Sequence, residues 1–325
     1  MKEELQVFTD LIKNEIENLP LDGHPKELYE PIQYLMSLGG KRLRPLLTLM
    51  AHSLYKDDPR VAVKAAVALE LFHNFTLMHD DIMDSAPLRR GKATVHKKYN
   101  DNIAILSGDV MLVKVYDLLL TVPSDQLKDI LLSFNKCAAQ VCEGQQLDMN
   151  YEGMESVTEK EYLEMIELKT AVLLGFSLEL GAILGGADKE SRALLKEAGI
   201  HMGLGFQLKD DLLDVYADKE KFGKVIGGDI IANKKTFLLI KAIEGAEGKV
   251  KEELKNWLTR EHFNNEDKVA AVKGIYNGLH IKALTEKKIQ DYFKMALEAL
   301  EQISVAKEKK LTLKSFAQYL INREE

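Results

Sequence analysis

Two short segments concentrate acidic side chains: HDDIMD from His79 to Asp84, and KDDLLDVYAD from Lys209 to Asp218. Each contains the pattern DDxxD, as Asp80, Asp81 and Asp84 in the first and Asp210, Asp211 and Asp214 in the second. On a helix, carboxylates at i and i+4 stand on one face about 5 to 6 Å apart between Cβ atoms, close enough to share a cation and mutually repelling without one. A single acidic cluster is ordinarily a solvated helix end. Here both clusters follow apolar turns, LELFHNFTLM and HMGLGFQL, which places the carboxylates at the mouth of an interior. With oxygen donors and no Cys or tight His cluster, the set favours a hard ion, and Mg²⁺ keeps water ligands and shares itself with phosphate oxygens. The alternating Asp and central Gly of an EF-hand loop are missing. These residues point to a phosphorylated substrate bridged by Mg²⁺.

A phosphate also needs cationic side chains. Leu38-Gly39-Gly40-Lys41-Arg42-Leu43-Arg44-Pro45 puts Lys41 and Arg44 three apart after a flexible Gly pair, with Pro45 placed to open a helix. Arg89-Arg90-Gly91 follows the first acidic motif in a loop that can fold back over it. Lys169-Thr170 adds a further cation, as does the glycine-punctuated stretch from Phe222-Gly223-Lys224 to Asn233-Lys234-Lys235, which suits a closing lid. His73 precedes Asp80 by seven residues, about 700° around a helix and about 10.5 Å along it, so it shares the Asp80 stripe. Alone, it reads equally well as a core histidine. His79 points elsewhere and is read as structural.

The elements that must position these groups are helices. Apolar residues step by three or four, as in Val61, Ala65, Leu69, Phe72 and Thr76, or Leu112, Val115 and Leu119. Breaks fall at Pro20 to Pro25, Gly39-Gly40, Asp57-Asp58-Pro59, Pro123-Ser124, Gly185-Gly186 and Gly227-Gly228, and no pair of β-branched runs is joined by a hairpin signal. The expected fold is all-α: one domain spanning 1–325, with ten or more helices around a deep central cavity. The 325 residues carry 44 Lys+Arg against 51 Asp+Glu, a net charge of −7, with no basic arm, so nucleic acid is not an expected partner. Cys137 and Cys142 match neither a disulfide framework nor a zinc motif, which fits a reduced cytoplasm. No signal-peptide core or uninterrupted apolar run of spanning length occurs, so no stable membrane insertion is expected.

Taken as a set, GGKRLRP, HDDIMD followed by LRRGKATVH, ELKTA and GFQLKDDLLD resemble the trans-isoprenyl diphosphate synthase family in order and spacing, over roughly residues 30 to 240. The resemblance implies a homodimer that joins isopentenyl diphosphate head-to-tail to an allylic diphosphate: dimethylallyl, geranyl or farnesyl. Carried over by position, Asp80, Asp84 and Asp210 are the direct Mg²⁺ ligands and Asp81 and Asp214 support them, with three ions shared with the substrate diphosphate. The allylic diphosphate is expected against Arg89, Lys169 and Lys234, with Lys224 reaching in from the lid. Isopentenyl diphosphate is expected on Lys41, Arg44, His73 and Arg90. Thr170 and Gln207 match positions beside the reacting carbons, where their oxygen dipoles stabilise a carbocation. Gln145 and Asp148 match a further cavity-facing pair.

Chain length is expected to depend on a floor formed by Phe75 and Thr76. Phe75 lies five residues before Asp80, about 7.5 Å down the helix. An aromatic at this position resembles short-chain members, and the lack of a second aromatic at Thr76 favours a C20 product (geranylgeranyl diphosphate) over C15. A class I terpene cyclase would not need GGKRLRP or a second DDxxD. A non-catalytic partner subunit would have lost motif aspartates, and none is lost. An acidic helical scaffold leaves the paired motifs without a role. Near the C-terminus, Arg323 is placed to fold over an incoming diphosphate.

Overall fold

The computed structural model describes residues 2–217 and 227–323. Helices dominate: α1 (Lys2–Glu17), α2 (Lys26–Ser37), α3 (Leu43–Ser53), α4 (Val63–Met83), α5 (Val95–Lys98), α6 (Asp101–Leu119), α7 (Ser124–Glu152) and α8 (Glu159–Ile166). They continue as α9 (Val172–Gly185), α10 (Lys189–Tyr216), α11 (Gly228–Ile231), α12 (Phe237–Gly245), α13 (Gly248–Thr259), α14 (Asn265–Gly278), α15 (Ile281–Gln302) and α16 (Lys307–Asn322). The chain is all-α, and every anticipated break falls between helices or at a helix end or start.

Two compact units are resolved. The first comprises Met1–Cys137, Leu173–Lys196 and Gln302–Ser315; the second comprises Ala138–Val172, Glu197–Glu301 and Phe316–Glu325. In the first, α4 is the core helix and packs against α3 and α6. Ala65, Ala66, Val67, Ala68, Leu69, Leu71 and Phe72 are all buried, so both faces of α4 are covered, as expected for a helix apolar all round. Val61 does not continue the stripe: it lies in a short 3₁₀ turn, Pro59–Ala62, and is exposed. Below the first acidic motif, Phe72 meets Phe134 at 5.2 Å between ring centroids, and Phe134 meets Phe176 at 6.0 Å.

In the second unit, Thr158 opens α8 through a capping box. The Glu161 backbone N–H donates to Thr158 Oγ1 at 3.3 Å, and the Thr158 N–H donates to Glu161 Oε2 at 2.8 Å. Helix α8 then widens into one π turn over Glu167–Ala171, the ELKTA segment. Two glycines allow this turn to be approached closely. A Cβ on Gly144 of α7 would stand 2.6 Å from Lys169 Cα, and one on Gly203 of α10 would stand 2.7 Å from Ala171 Cβ.

Two helical stretches, Pro59–Met83 and Glu159–Gly185, are long and apolar enough to cross a membrane, but 67% and 78% of their most apolar windows are buried. Their apolarity serves the core. One local expectation fails: a two-stranded hairpin, Leu88–Arg89 with Lys92–Ala93, stands where no strand pair was foreseen. Its turn residues Arg90 (φ 52) and Gly91 (φ 73) both have positive φ, as a type I′ turn requires, but Arg-Gly is not its usual sequence signal.

Candidate active site

In the first unit, Asp80 and Asp81 lie on the last turn of α4 and Asp84 is its C-terminal cap. The hairpin brings Arg89 back onto them: Nε and Nη2 donate to Asp81 at 2.8 and 2.7 Å, and Nη2 lies 4.0 Å from Asp80 Oδ2. Asp81 is buried, so its charge is compensated by this paired contact. Arg90 reaches the other way and donates to the carbonyl of Gly39. The GGKRLRP loop is thus fastened to the hairpin. Arg42, in a left-handed conformation (φ 50), donates to Glu70 at 2.5 Å and to the Met36 carbonyl at 2.9 Å, while Asn74 donates to the same Glu70 oxygen at 2.9 Å. That network leaves Lys41 exposed and Arg44 on the first turn of α3.

His73 is on α4 near four arginines. Burial first, then the positive charge of Arg44, holds its pKa well below the usual imidazole value. It is a neutral hydrogen-bonding group at pH 7, not an added cation. Phe75 stacks edge-on with His79 at 4.8 Å and lies 5.7 Å from Phe72. Its neighbour Thr76 donates its hydroxyl to the His73 carbonyl at 2.8 Å. His79 packs on Gly108, with Nε2 3.1 Å from the Ile105 carbonyl.

In the second unit, Asp210, Asp211 and Asp214 lie on the last two turns of α10. They differ sharply. The guanidinium of Arg323 sits on Asp210, donates to the Phe206 carbonyl at 3.1 Å and covers the Phe206 ring at 3.8 Å. Asp211 turns inward, where the Tyr162 hydroxyl donates to Oδ2 and Gln207 Nε2 donates to Oδ1 at 3.0 Å. Asp214 accepts the backbone N–H of Asp229 at 3.0 Å through Oδ2, capping the short helix α11. Burial pushes the Asp211 carboxyl up to about 6; burial and the charge of Asp211 push Asp229 to about 7. Burial outweighs the positive charge of Lys234, which lowers both.

The π turn presents Lys169 and Thr170. Lys169 Nζ donates to Asp148 at 2.6 Å, and Lys234 Nζ lies 3.8 Å from the same oxygen. Burial alone would raise the Asp148 carboxyl, but Lys234 and Lys169 outweigh it and hold it below the usual range. Thr170 Oγ1 donates to Gln207 Oε1 at 3.2 Å. Within this unit the structure brings together Lys169, Thr170, Gln207 and Lys234. Lys224 lies outside the described residues.

The polyprenyl synthetase family matches residues 25–276, most of the chain. This chain belongs to the polyprenyl synthetase family. A geranylgeranyl diphosphate synthase of Methanosarcina mazei is 42% identical over 252 residues, covering 74% of this chain and 77% of that protein. A geranylgeranyl pyrophosphate synthase of Geoglobus acetivorans is 37% identical over 316 residues, covering 97% and 96%. A crystal structure of a geranylgeranyl pyrophosphate synthase superposes with a TM-score of 0.94 at 42% identity, covering 99% of both chains. The polyprenyl synthetase match contains every candidate residue from Lys41 to Lys234; Arg323 lies beyond it. Tyr162, Asp229 and Glu70 entered none of the sequence-based assignments, and Asp211 entered only as a member of the second DDxxD, with no role of its own. The Asp-Asp doublets signal paired carboxylates but not which member turns inward, and a lone Tyr or Glu on an amphipathic helix carries no signal of its own.

Proposed function

We propose that this chain is a trans-prenyltransferase that condenses isopentenyl diphosphate head-to-tail with dimethylallyl, geranyl or farnesyl diphosphate, giving mainly the C20 geranylgeranyl product. The observation that carries the reading is the seating of a protein guanidinium on each DDxxD motif: Arg89 on Asp81 and Arg323 on Asp210. Both motifs are concentrations of carboxylate that already seat a cationic group, and relatives named geranylgeranyl diphosphate synthase support the product length.

The donor set fits magnesium. It is all carboxylate oxygen, the hard donor that Mg²⁺ takes from a protein while keeping water and phosphate oxygens as its other ligands. Asp80, Asp84 and Asp210 are the direct ligands, supported by Asp81 and Asp214, with three ions shared with substrate. When bound, Mg²⁺ offsets the charge that develops on the leaving diphosphate.

Arg89, Lys169 and Lys234, with Lys224, grip the allylic diphosphate, so that the carbon–oxygen bond breaks against fixed positive charge. Asp148 holds Lys169 and Lys234 in readiness. Lys41, Arg44, Arg90 and neutral His73 orient isopentenyl diphosphate, whose double bond attacks the allylic cation. Thr170 and Gln207 turn oxygen dipoles toward that cation, and the released diphosphate accepts the proton lost in forming the new double bond. Phe75 and Thr76 limit product length from above the Phe72–Phe134 cluster.

We further assign the chain as one polyprenyl synthetase domain over 1–325, acting in the cytoplasm as a homodimer. Exposed apolar side chains on α6 and α7, including Ile105, Leu106, Val113 and Leu132, support the pairing. Purified protein incubated with Mg²⁺, isopentenyl diphosphate and each allylic primer should release diphosphate, and chromatography of the dephosphorylated products should show C20. No diphosphate release with any primer would remove the reading.

A further inference from the structure

Tyr162 is a buried phenol that none of the steps above uses. It leaves α8 one turn after the capping box, and its hydroxyl donates to Asp211 Oδ2. The other oxygen of the same carboxylate accepts Gln207 Nε2 at 3.0 Å, and Gln207 Oε1 in turn accepts the Thr170 hydroxyl at 3.2 Å. All four groups lie in the second unit. We propose that Tyr162 is a positioning residue that, through Asp211, fixes the Gln207 amide so that its carbonyl oxygen stays on the Thr170 side.

The chemistry of the partners sets the direction. An ionised carboxylate only accepts, so its Oδ1 selects the amide nitrogen of Gln207 and leaves the carbonyl oxygen to Thr170. Because Thr170 spends its proton on that oxygen, its own lone pairs remain directed away from Gln207. A rotation of the amide by half a turn would exchange its ends. It would present a partly positive NH₂ where the partly negative oxygen now stands, reversing the sign of the interaction with a neighbouring cation. Asp211 prevents that rotation only while it is itself held, and Tyr162 supplies the second hold from a different helix. The π turn belongs to the same device: it brings Thr170 within reach of Gln207 while α8 keeps Tyr162 against Asp211.

This assignment rests on the prenyltransferase reading, and a double-mutant cycle tests it. Tyr162→Phe keeps the ring and removes only the hydroxyl. It should lower kcat about tenfold, equivalent to ~1.4 kcal/mol, with KM for both diphosphates unchanged. In a Gln207→Leu background, which has no amide to orient, the same change should cost nothing further. An equal loss in both backgrounds, or an unchanged kcat for Tyr162→Phe alone, would overturn the proposal. A separate readout needs no turnover: the Gln207 side-chain amide resonance, identified by its absence from Gln207→Leu, should shift in Tyr162→Phe. An unmoved resonance would also overturn it, whether or not Tyr162→Phe remains fully stable. If the wild type itself forms no prenyl product, the activity is misread, while the resonance still reports on the orientation.

Discussion

Replacing Gly144 by alanine adds one methyl group to α7 where the helix passes the π turn. That carbon would stand 2.6 Å from Lys169 Cα, 2.7 Å from the Leu168 carbonyl carbon, and closer still to the Lys169 nitrogen. All three are backbone atoms, so no side chain can rotate away, and the turn must yield by about 1 Å to restore ordinary contact. Two effects oppose each other in stability. Alanine gains ~1 kcal/mol of helix propensity over glycine, while overpacking costs ~1–3 kcal/mol. The net loss is therefore ~0–2 kcal/mol, a few degrees in Tm at most for a chain of this size. Activity is the sharper readout. Lys169 and Thr170 ride on the displaced turn, and a misplacement of about 1 Å in a positioning group costs on the order of 10²-fold in rate. Diphosphate release measured beside a thermal melt should show a large fall in kcat with nearly unchanged Tm. Gly153→Ala is the control, because its nearest neighbour would be 3.9 Å away. Wild-type turnover by Gly144→Ala, or an equal loss in the control, would refute the close approach as the cause.

Asp80→Ala or Asp210→Ala should each reduce turnover by about 10²–10³-fold, since either removes a ligand that stabilises charge on the leaving group; unchanged steady-state rates would remove the proposed metal roles. Stripping divalent metal with a chelator should abolish diphosphate release and added Mg²⁺ should restore it, whereas activity persisting in the chelator would argue against metal-assisted ionisation. Phe75→Ala should shift the dephosphorylated products to greater length, and an unaltered chromatogram would put the floor elsewhere. Asp229 carries a raised pKa, about 7, caused first by burial and then by Asp211. Its stabilising contribution is therefore complete below the ordinary carboxylate pKa near ~4 and is lost as pH rises through about 7. Between about pH 5 and pH 8 in metal-free buffer, the wild type should lose more Tm than Asp229→Asn, and parallel curves would contradict the assignment.

Much of the fold was legible because helix ends are local events. Gly39-Gly40, Pro123-Ser124 and Gly185-Gly186 interrupt periodic apolar runs, and each falls at a helix boundary: the first between α2 and α3, the second at the start of α7 and the third at the end of α9. The hairpin was not, because Arg90 takes positive φ by being held through its side chain at Gly39, a partner 51 positions away that no turn propensity encodes. ELKTA reads as continuous helix; the π turn arises where α7 and α10 present glycines to it, which is tertiary context. The same holds within the acidic motifs. Asp210 and Asp211 are chemically identical neighbours, yet successive helix positions differ by about 100°, which suffices to turn one outward to Arg323 and the other inward to Tyr162. Arg323 itself is brought to Asp210 across 113 positions, a distance over which spacing conveys nothing.

The clasp from Arg90 to the Gly39 carbonyl carries a practical lesson for anyone recombining this enzyme with its cousins. A chimera that imports the glycine pair without the arginine doublet, or the doublet without the pair, would arrive with half a buckle. A Cβ at Gly40 would stand 2.8 Å from Arg90 Nη2, so even a single added carbon on one side disturbs the other. Crossover points are best placed outside residues 39–91, so that both halves travel as a single cassette.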